Sequence, residues 1–374
     1  MERVIVEISY KNLKHNLDLI KKITGNKSII CMVKDNAYGL GGVNIAKFLS
    51  SDNNVKAFAV ASFGEANHLK ENGIVKDIII IGHIFKDQYE EAIKNNYILT
   101  ISTIEQAIEL NNIAKTINKQ VKLALGIDSG MGRIGFQINE ESLENIKKIS
   151  DYSNVIIYGF FTHFPVADCN SDDFENIEWT NNQEIRFNQF IEKIDKLKVK
   201  YSDISISNSA GIITNRGTNY SSVRPGIILY GILPNPELSK YDFKPIMQLK
   251  SRIIHIKDID KNTSISYGRT FISKDKMRIA TIACGYGDGY PRSASNKTSV
   301  IINDKKCPVV GRVTMDMFMV DVTNVDCKIE DEVILVGNSE HQRITYQDIC
   351  DLTGDFVYEL LTKINQRVKR VYVD

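Results

Sequence analysis

Residues 29–34 read Ile29-Ile30-Cys31-Met32-Val33-Lys34, five apolar residues and then a lysine. A strand covered on both faces leaves no alternate position for a polar side chain, so this run predicts an interior strand of a parallel sheet. Seven more runs of similar kind follow at 57–61, 77–81, 98–101, 121–127, 155–161, 203–207 and 223–230. The segments between them carry apolar residues at helical spacing, as at Phe187, Phe190, Ile191, Ile194 and Leu197, and Thr103 with Gln106 reads as a capping box. Strands alternating with helices in this number predict an α/β fold, a closed (β/α)8 barrel of the TIM type; an open doubly wound sheet is compatible with the same pattern. Leu13, Leu17 and Ile20 predict one helix ahead of the first barrel strand.

At Pro234-Asn235-Pro236 the rhythm changes. Beyond it, 249–256, 277–283, 300–302, 318–322 and 333–336 read as strands with turn residues between them. The expected division is therefore a barrel over 1–236 and a mainly β C-terminal domain over 237–374. The polar stretch 169–176 reads as a surface loop after the sixth strand.

With 43% hydrophobic and 25% charged residues, the 374-residue chain has the composition of a soluble globular protein with a substantial core. Lys plus Arg (47) nearly balances Asp plus Glu (46), which argues against nucleic acid or an anionic membrane as partner and favours a small molecule. The six cysteines form no CxxC pair, against both a zinc site and a disulfide framework, and no histidine has metal-ligand spacing. Met1-Glu2-Arg3 runs into a strand-like segment, so neither a signal peptide nor a membrane span is expected, and a cytoplasmic location is.

In a β/α barrel the chemistry collects where the strands end at their C-terminal side. Lys34 follows the first run, Asp128 and Arg133 the fifth, His163 the sixth and Asn208-Ser209 the seventh, while Arg224 sits in the eighth. A lysine emerging from a buried strand into a partly desolvated mouth has its pKa lowered, the condition for a nucleophilic amine that forms a Schiff base. Small residues and backbone N–H groups at Ser207-Asn208-Ser209-Ala210-Gly211 and Pro225-Gly226-Ile227 suit a phosphate. Arg224 beside them suits either an acidic substrate or a cofactor ring nitrogen.

These residues fall in motifs that resemble the alanine racemase family. Val33-Lys34-Asp35-Asn36-Ala37-Tyr38-Gly39 is similar to its cofactor-lysine motif, VKANAYGHG. In order there follow Gly130-Met131-Gly132-Arg133-Ile134-Gly135, Thr162-His163-Phe164, Asn208-Ser209-Ala210, Val223-Arg224-Pro225-Gly226, Ser266-Tyr267-Gly268-Arg269-Thr270, Gly285-Tyr286-Gly287-Asp288-Gly289-Tyr290-Pro291-Arg292 and Gly311-Arg312-Val313-Thr314-Met315-Asp316. The resemblance implies a fold type III pyridoxal 5'-phosphate (PLP) racemase acting on a small amino acid, a homodimer whose active sites join one subunit's barrel to the other's β domain. It implies that Lys34 carries PLP and that Arg224 faces the pyridine nitrogen. Tyr38, Asn208, Ser209, Gly226 and Ile227 then line the phosphate side, and His163 lies beside the ring. Arg133 contacts the cofactor and the substrate carboxylate. From the partner subunit, Tyr267 is the second base, Met315 offers its backbone N–H to the carboxylate, and Tyr286 and Asp316 are their neighbours. Racemisation needs a proton removed on one face and delivered on the other, hence two bases.

Five positions depart from the pattern. Ser205, opening Ser205-Ile206-Ser207-Asn208-Ser209-Ala210, stands where the family's HAANSA-like stretch has a histidine, and it is assigned no role. Leu40 replaces the motif histidine and Asp35 the common alanine. Gly126 stands where many members carry a carbamylated lysine that braces Arg133, which predicts an Arg133 held by another anion or held loosely. Gln366 stands where some members have a tyrosine, and a polar, flexible residue there would accommodate a hydroxymethyl group, so serine or broader racemisation stays open beside alanine. A PLP-binding or regulatory relative without turnover stays open as well. A decarboxylase on the same fold would need an acid where Arg224 stands.

Overall fold

The computed structural model describes residues 2–238 and 240–374. The chain divides into two compact units, Asn12–Ala37 with Gly42–Pro245, and Met1–Lys11 with Tyr38–Gly41 and Ile246–Asp374.

The first unit is the β/α barrel. Ser28–Met32, Val55–Val60, Asp77–Ile80, Ile98–Ile101, Val121–Asp128, Val155–Phe161 and Asp203–Ser205 pair in that order, all parallel. Ser222–Val223 pairs back onto Ser28–Met32. The seam between the last two strands is joined by the Arg224 N–H donating to Ser207 O (2.9 Å) and by Ser222 Oγ, which donates to the Asp203 carboxylate (2.8 and 3.0 Å). Lys56 neutralises Asp203 at 2.9 Å. The helix ahead of the barrel, Tyr10–Ile23, buries Leu13, Leu17 and Ile20 as its spacing predicts. Phe187, Phe190, Ile191 and Ile194 line the buried side of Phe174–Lys196.

Three expectations change. The eighth run is a strand over Ser222–Val223 only, because Pro225 lacks an N–H for the ladder; Ile227–Tyr230 turns into a 3₁₀ helix. Thr103 does accept the Gln106 N–H, but Gln106 Oε1 takes the Ser102 N–H, so the box is displaced by one residue. The polar stretch at 169–176 is loop only as far as Asp173, whose side chain caps the helix beginning at Phe174.

The second unit is built on a nine-stranded sheet. Its long strand Met247–Ile259 runs antiparallel to Met277–Ile282, Glu332–Asn338 and the N-terminal Val4–Ser9. Val4–Ser9, which a boundary at 236 assigns to the barrel, thus belongs to this sheet, where Val4, Val6 and Ile8 are buried and the alternate residues are not. On its other side it pairs in parallel with Lys369–Val373. The compact division falls at Pro245/Ile246, nine residues beyond Pro236.

Candidate active site

Lys34 leaves the first barrel strand into a turn of unusual hand. Asp35, Asn36, Ala37 and Tyr38 all have positive φ (53°, 52°, 53° and 55°), a left-handed run of non-glycine residues that costs about 1–2 kcal/mol each. The turn is tied at each step: Ala37 N–H donates to Val33 O, the Gly42 N–H to Asn36 Oδ1 (both 2.8 Å), and the Asp35 N–H to Glu65. Glu65 is also the reciprocal partner of Ser62 in the capping box of helix Phe63–Glu71, accepting from the Ala61 and Ser62 N–H groups. Downstream, the Gly39 carbonyl accepts two bonds from Arg370 (3.1 and 2.7 Å) and Leu40 O accepts from Tyr372 (3.1 Å). Close approach fixes the glycines: a Cβ on Gly39 would lie 2.5 Å from Leu361 O, and one on Gly41 1.9 Å from the Tyr372 hydroxyl. Leu40, in the place of the motif histidine, is fully buried.

The barrel unit brings Lys34, Arg133, His163 and Arg224 within electrostatic reach of one another. Burial pushes the Lys34 amine below the ordinary lysine range; Arg133 pushes it further, against the opposing pull of Glu65 and Asp35. Burial, with Arg224, Arg133 and Lys34 adding to it, lowers His163 to about 3. The ring is therefore neutral, and its Nε2, 3.3 Å from the Asn208 amide nitrogen, is the acceptor of that pair. Asn208 also donates to Phe164 O (2.9 Å) and caps the short helix Ser209–Ile213 through the Gly211 N–H (2.9 Å). Ser209 Oγ accepts the Gly226 N–H (2.9 Å), joining the two segments read as a phosphate site, and Ile227 opens the 3₁₀ helix beyond.

Arg224 is 7% exposed. Its guanidinium donates to Ser205 O and Oγ (2.7 Å each) and to Thr162 O (2.5 Å), and it lies over the Phe161 ring. Burial lowers it to about 10, which leaves it charged at neutral pH. Ser205 thus acquires a clear structural part. Arg133 is exposed and forms no hydrogen bond or ion pair among the described residues. At Gly126 a Cβ would sit 3.4 Å from Phe161, and nothing there reaches for Arg133.

The remaining candidates lie in the β unit. The Tyr286 N–H donates to Thr314 O (3.0 Å) and the Gly287 N–H to Met315 O (2.9 Å), so the loops bearing Tyr286 and Met315 are locked together. Under them Asp288, 1% exposed, accepts from Gly285 N–H (2.9 Å), Arg3 (3.1 Å) and Arg367 (2.7 Å). Arg367 also holds the Asp316 carboxylate at 2.8 Å. Asp288 is thus a buried anchor, and Asp316 a paired carboxylate. Tyr267 follows Ser266, which is held at positive φ (64°) with its Oγ on Arg312 O (2.7 Å). Tyr267, Met315 and Tyr286 are 74%, 55% and 44% exposed. Gln366 is exposed beside Arg367, and Tyr38 clusters with this unit. Among the described residues no three His, Cys, Asp or Glu side chains gather as a metal site requires.

Glu65, Arg3, Arg367 and Arg370 were assigned no role from the sequence. Glu65 had a local signal, the Ser62-x-x-Glu65 spacing of a capping box; the arginines reach Asp288, Asp316 and Gly39 across 51 or more residues of chain.

A parallel barrel with a partly desolvated lysine after its first strand, followed by a mainly β unit, defines a class of two-unit β/α-barrel proteins. Residues 8–234 match the alanine racemase N-terminal domain and residues 246–372 the alanine racemase C-terminal domain. Similar curated proteins are the alanine racemase of Clostridium novyi, 39% identical over 99% of this chain and 95% of that one, and that of Methanococcus maripaludis, 35% identical over 98% of each. Among solved structures, the alanine racemase of Clostridium difficile superposes with a TM-score of 0.93 at 36% identity, covering 99% of this chain and 96% of that one. The Bartonella henselae alanine racemase with covalently bound pyridoxal phosphate does so with a TM-score of 0.87 at 26% identity, each covered fully. The chain belongs to the alanine racemase family.

The residues present fit the cofactor of that Bartonella structure. They offer an amine depressed by burial, backbone and hydroxyl groups around Ser209 and Gly226, and three cations whose mutual repulsion an anionic ligand would relieve.

Proposed function

We propose that this chain interconverts L- and D-alanine with PLP, Lys34 and Tyr267 of the partner subunit serving as the two bases. The observation that carries the reading is the gathering of Lys34, Arg133 and Arg224 around a neutral His163 at the C-terminal ends of the barrel strands, a site charged for a phosphate and a carboxylate.

When bound, PLP supplies an electron sink that acidifies the substrate Cα–H. Lys34 would hold it, and its amine would take or give the α-proton on one face; a lowered pKa keeps a larger fraction of the amine neutral. Tyr267 of the partner subunit takes or gives the proton on the other face. Arg224 would face the ring nitrogen as a donor that does not surrender its proton, which would disfavour side reactions such as transamination. Ser209, Gly226, Ile227, Asn208 and Tyr38 hold the phosphate. Arg133 and, from the partner subunit, the Met315 N–H, which has no acceptor among the described residues, take the substrate carboxylate, with the partner's Tyr286 and Asp316 beside them.

A second copy of the chain accounts for the exposure of Tyr267, Met315, Met317 and Tyr286 on the β unit, large side chains that a dimer partner would cover. No helix among the described residues is long and apolar enough to cross a membrane. The six unpaired cysteines suit a reducing cytoplasm. The test is to incubate the PLP-loaded protein with L-alanine and, separately, L-serine, and to quantify the D-enantiomers by chiral chromatography. D-alanine is expected to predominate. Predominant D-serine would move the assignment to Gln366 and its surroundings, and no racemisation with PLP bound would overturn it.

A further inference from the structure

The loop that carries Arg133 is anchored from the helix Phe174–Lys196, which also reaches the site through Gln183, whose amide donates to His163 O at 2.7 Å. Asp128, the last residue of the barrel strand Val121–Asp128, accepts the N–H groups of Gly130 (3.1 Å) and Gly132 (3.0 Å) at Oδ1, and beyond the loop Phe136–Gln137 pairs with Ile127 and Asp128. Ser129 ties the loop in a third place. Its Oγ lies 2.7 Å from Thr162 Oγ, and its carbonyl accepts a bond from Arg186 Nη2 at 2.6 Å. Arg186 comes from the helix Phe174–Lys196 and lies over the ring of Trp179, two turns earlier on the same face, at 5.5 Å. Gly130 packs against both: a Cβ there would stand 3.1 Å from Arg186 Nη2 and 3.2 Å from Trp179 Cζ2. The loop is thus clamped at Ser129 and Gly130, while Arg133 itself has no hydrogen bond or ion pair among the described residues and Gly126 offers it no brace.

With nothing gripping the guanidinium, its placement is whatever the loop dictates. We infer that Arg186 and Trp179 are positioning residues for Arg133, setting the affinity for the substrate carboxylate from the outer helix. The inference rests on the reading of Arg133 as a carboxylate contact. A positioning error of about an ångström in a binding group is enough to change rate or affinity by one to two orders of magnitude.

Trp179 is the only tryptophan of the chain, so its emission reports on this clamp. The probe is propionate, a carboxylate with no amino group to react at the cofactor, titrated into the PLP-loaded protein. A saturable change in tryptophan emission is expected. Arg186→Ala should weaken propionate binding and raise KM for alanine about tenfold, with kcat within about threefold and PLP content and Tm unchanged; Arg186→Lys should recover part of the loss. Trp179→Phe, which keeps a ring under Arg186, should raise KM and the propionate inhibition constant by less than Arg186→Ala does. The inference is overturned by unchanged KM and propionate affinity in Arg186→Ala, or by a loss that falls on kcat, Tm or PLP content with KM unmoved. Arg133→Ala separates the two readings. Unchanged propionate affinity in Arg133→Ala removes the carboxylate role of Arg133 and the inference with it; weakened affinity there but not in Arg186→Ala removes the positioning role alone.

Discussion

In the barrel unit Arg224 and Ser209 are each 7% exposed, whereas in the β unit Tyr267 is 74% exposed and Met315 55%. Three of the barrel groups are satisfied from within their own unit, Arg224 by the Ser205 and Thr162 carbonyls, His163 by Asn208 and Ser209 by the Gly226 N–H, while Arg133 is exposed and unbonded among the described residues. In the β unit the order is reversed. Buried Asp288 with Arg3 and Arg367 fixes the backbone of the loops, and the side chains those loops present stand in solvent. One half of the candidate site is completed by folding; the other is a rigid frame whose display side is uncovered. A site shared between two copies of one chain requires that division, because each half must be ready before the halves meet.

The sharpest way to break the comparison is to substitute one residue on each side. Tyr267→Phe should leave Tm within about 0.5 kcal/mol of stability, since the side chain is exposed, and lower kcat by about 10²–10⁴-fold through loss of one proton-transfer group. The α-hydrogen should still exchange with deuterated solvent from one enantiomer, where Lys34 acts alone. Full activity in this variant would remove Tyr267 from the chemistry. Arg224→Ala should instead lose about 3 kcal/mol, because it strips the donors from two buried carbonyls and the Ser205 hydroxyl. Chemical denaturation reads that loss. Equal stabilities for the two variants would mean that the burial contrast has no energetic meaning.

Smaller in any one buffer, but diagnostic in its pH dependence, is His163. Its folded pKa of about 3 lies below the ordinary 6.5, so the unfolded chain binds a proton over that interval and the folded chain does not. The stabilisation from keeping it neutral is full above pH 6.5 and is lost as the pH falls toward about 3. His163→Gln removes the titration, so its Tm should fall less than the wild-type Tm across that window. Parallel Tm curves would show that burial and the cations beside it do not hold His163 neutral over that window.

The same division governs what could be read from the sequence. Seven of the eight barrel runs coincide closely with strands because an interior parallel strand writes its burial into consecutive residues. The eighth run misled by continuing apolar through Pro225 into a 3₁₀ helix that is equally buried. Val4–Ser9 alternates as a strand should, but its partners lie more than 230 residues away, a pairing no local pattern encodes. Lys34 was legible from its strand and its motif. The left-handed turn after it was not, because Ala37 and Tyr38 have no intrinsic preference for positive φ; Glu65 tethers the run at Asp35 and Arg370 holds Gly39 just beyond it.

That turn is where the two units share a single segment of chain, and it allows the smallest of these tests. Glu65 Oε1 accepts the Asp35 N–H while Oε2 takes those of Ala61 and Ser62, so Glu65→Gln must set an amide NH₂ against one of these donors. The cost should be about 1–2 kcal/mol of stability, with faster release of PLP, since a strained turn that loses a tether relaxes away from the conformation that aims Lys34. Arg370→Gln removes the grip on the Gly39 carbonyl from the β side. If Glu65→Gln releases PLP and Arg370→Gln does not, the barrel alone presets the lysine. If the order is reversed, the β unit carries part of that work, and the barrel is less complete than the burial of its side chains implies.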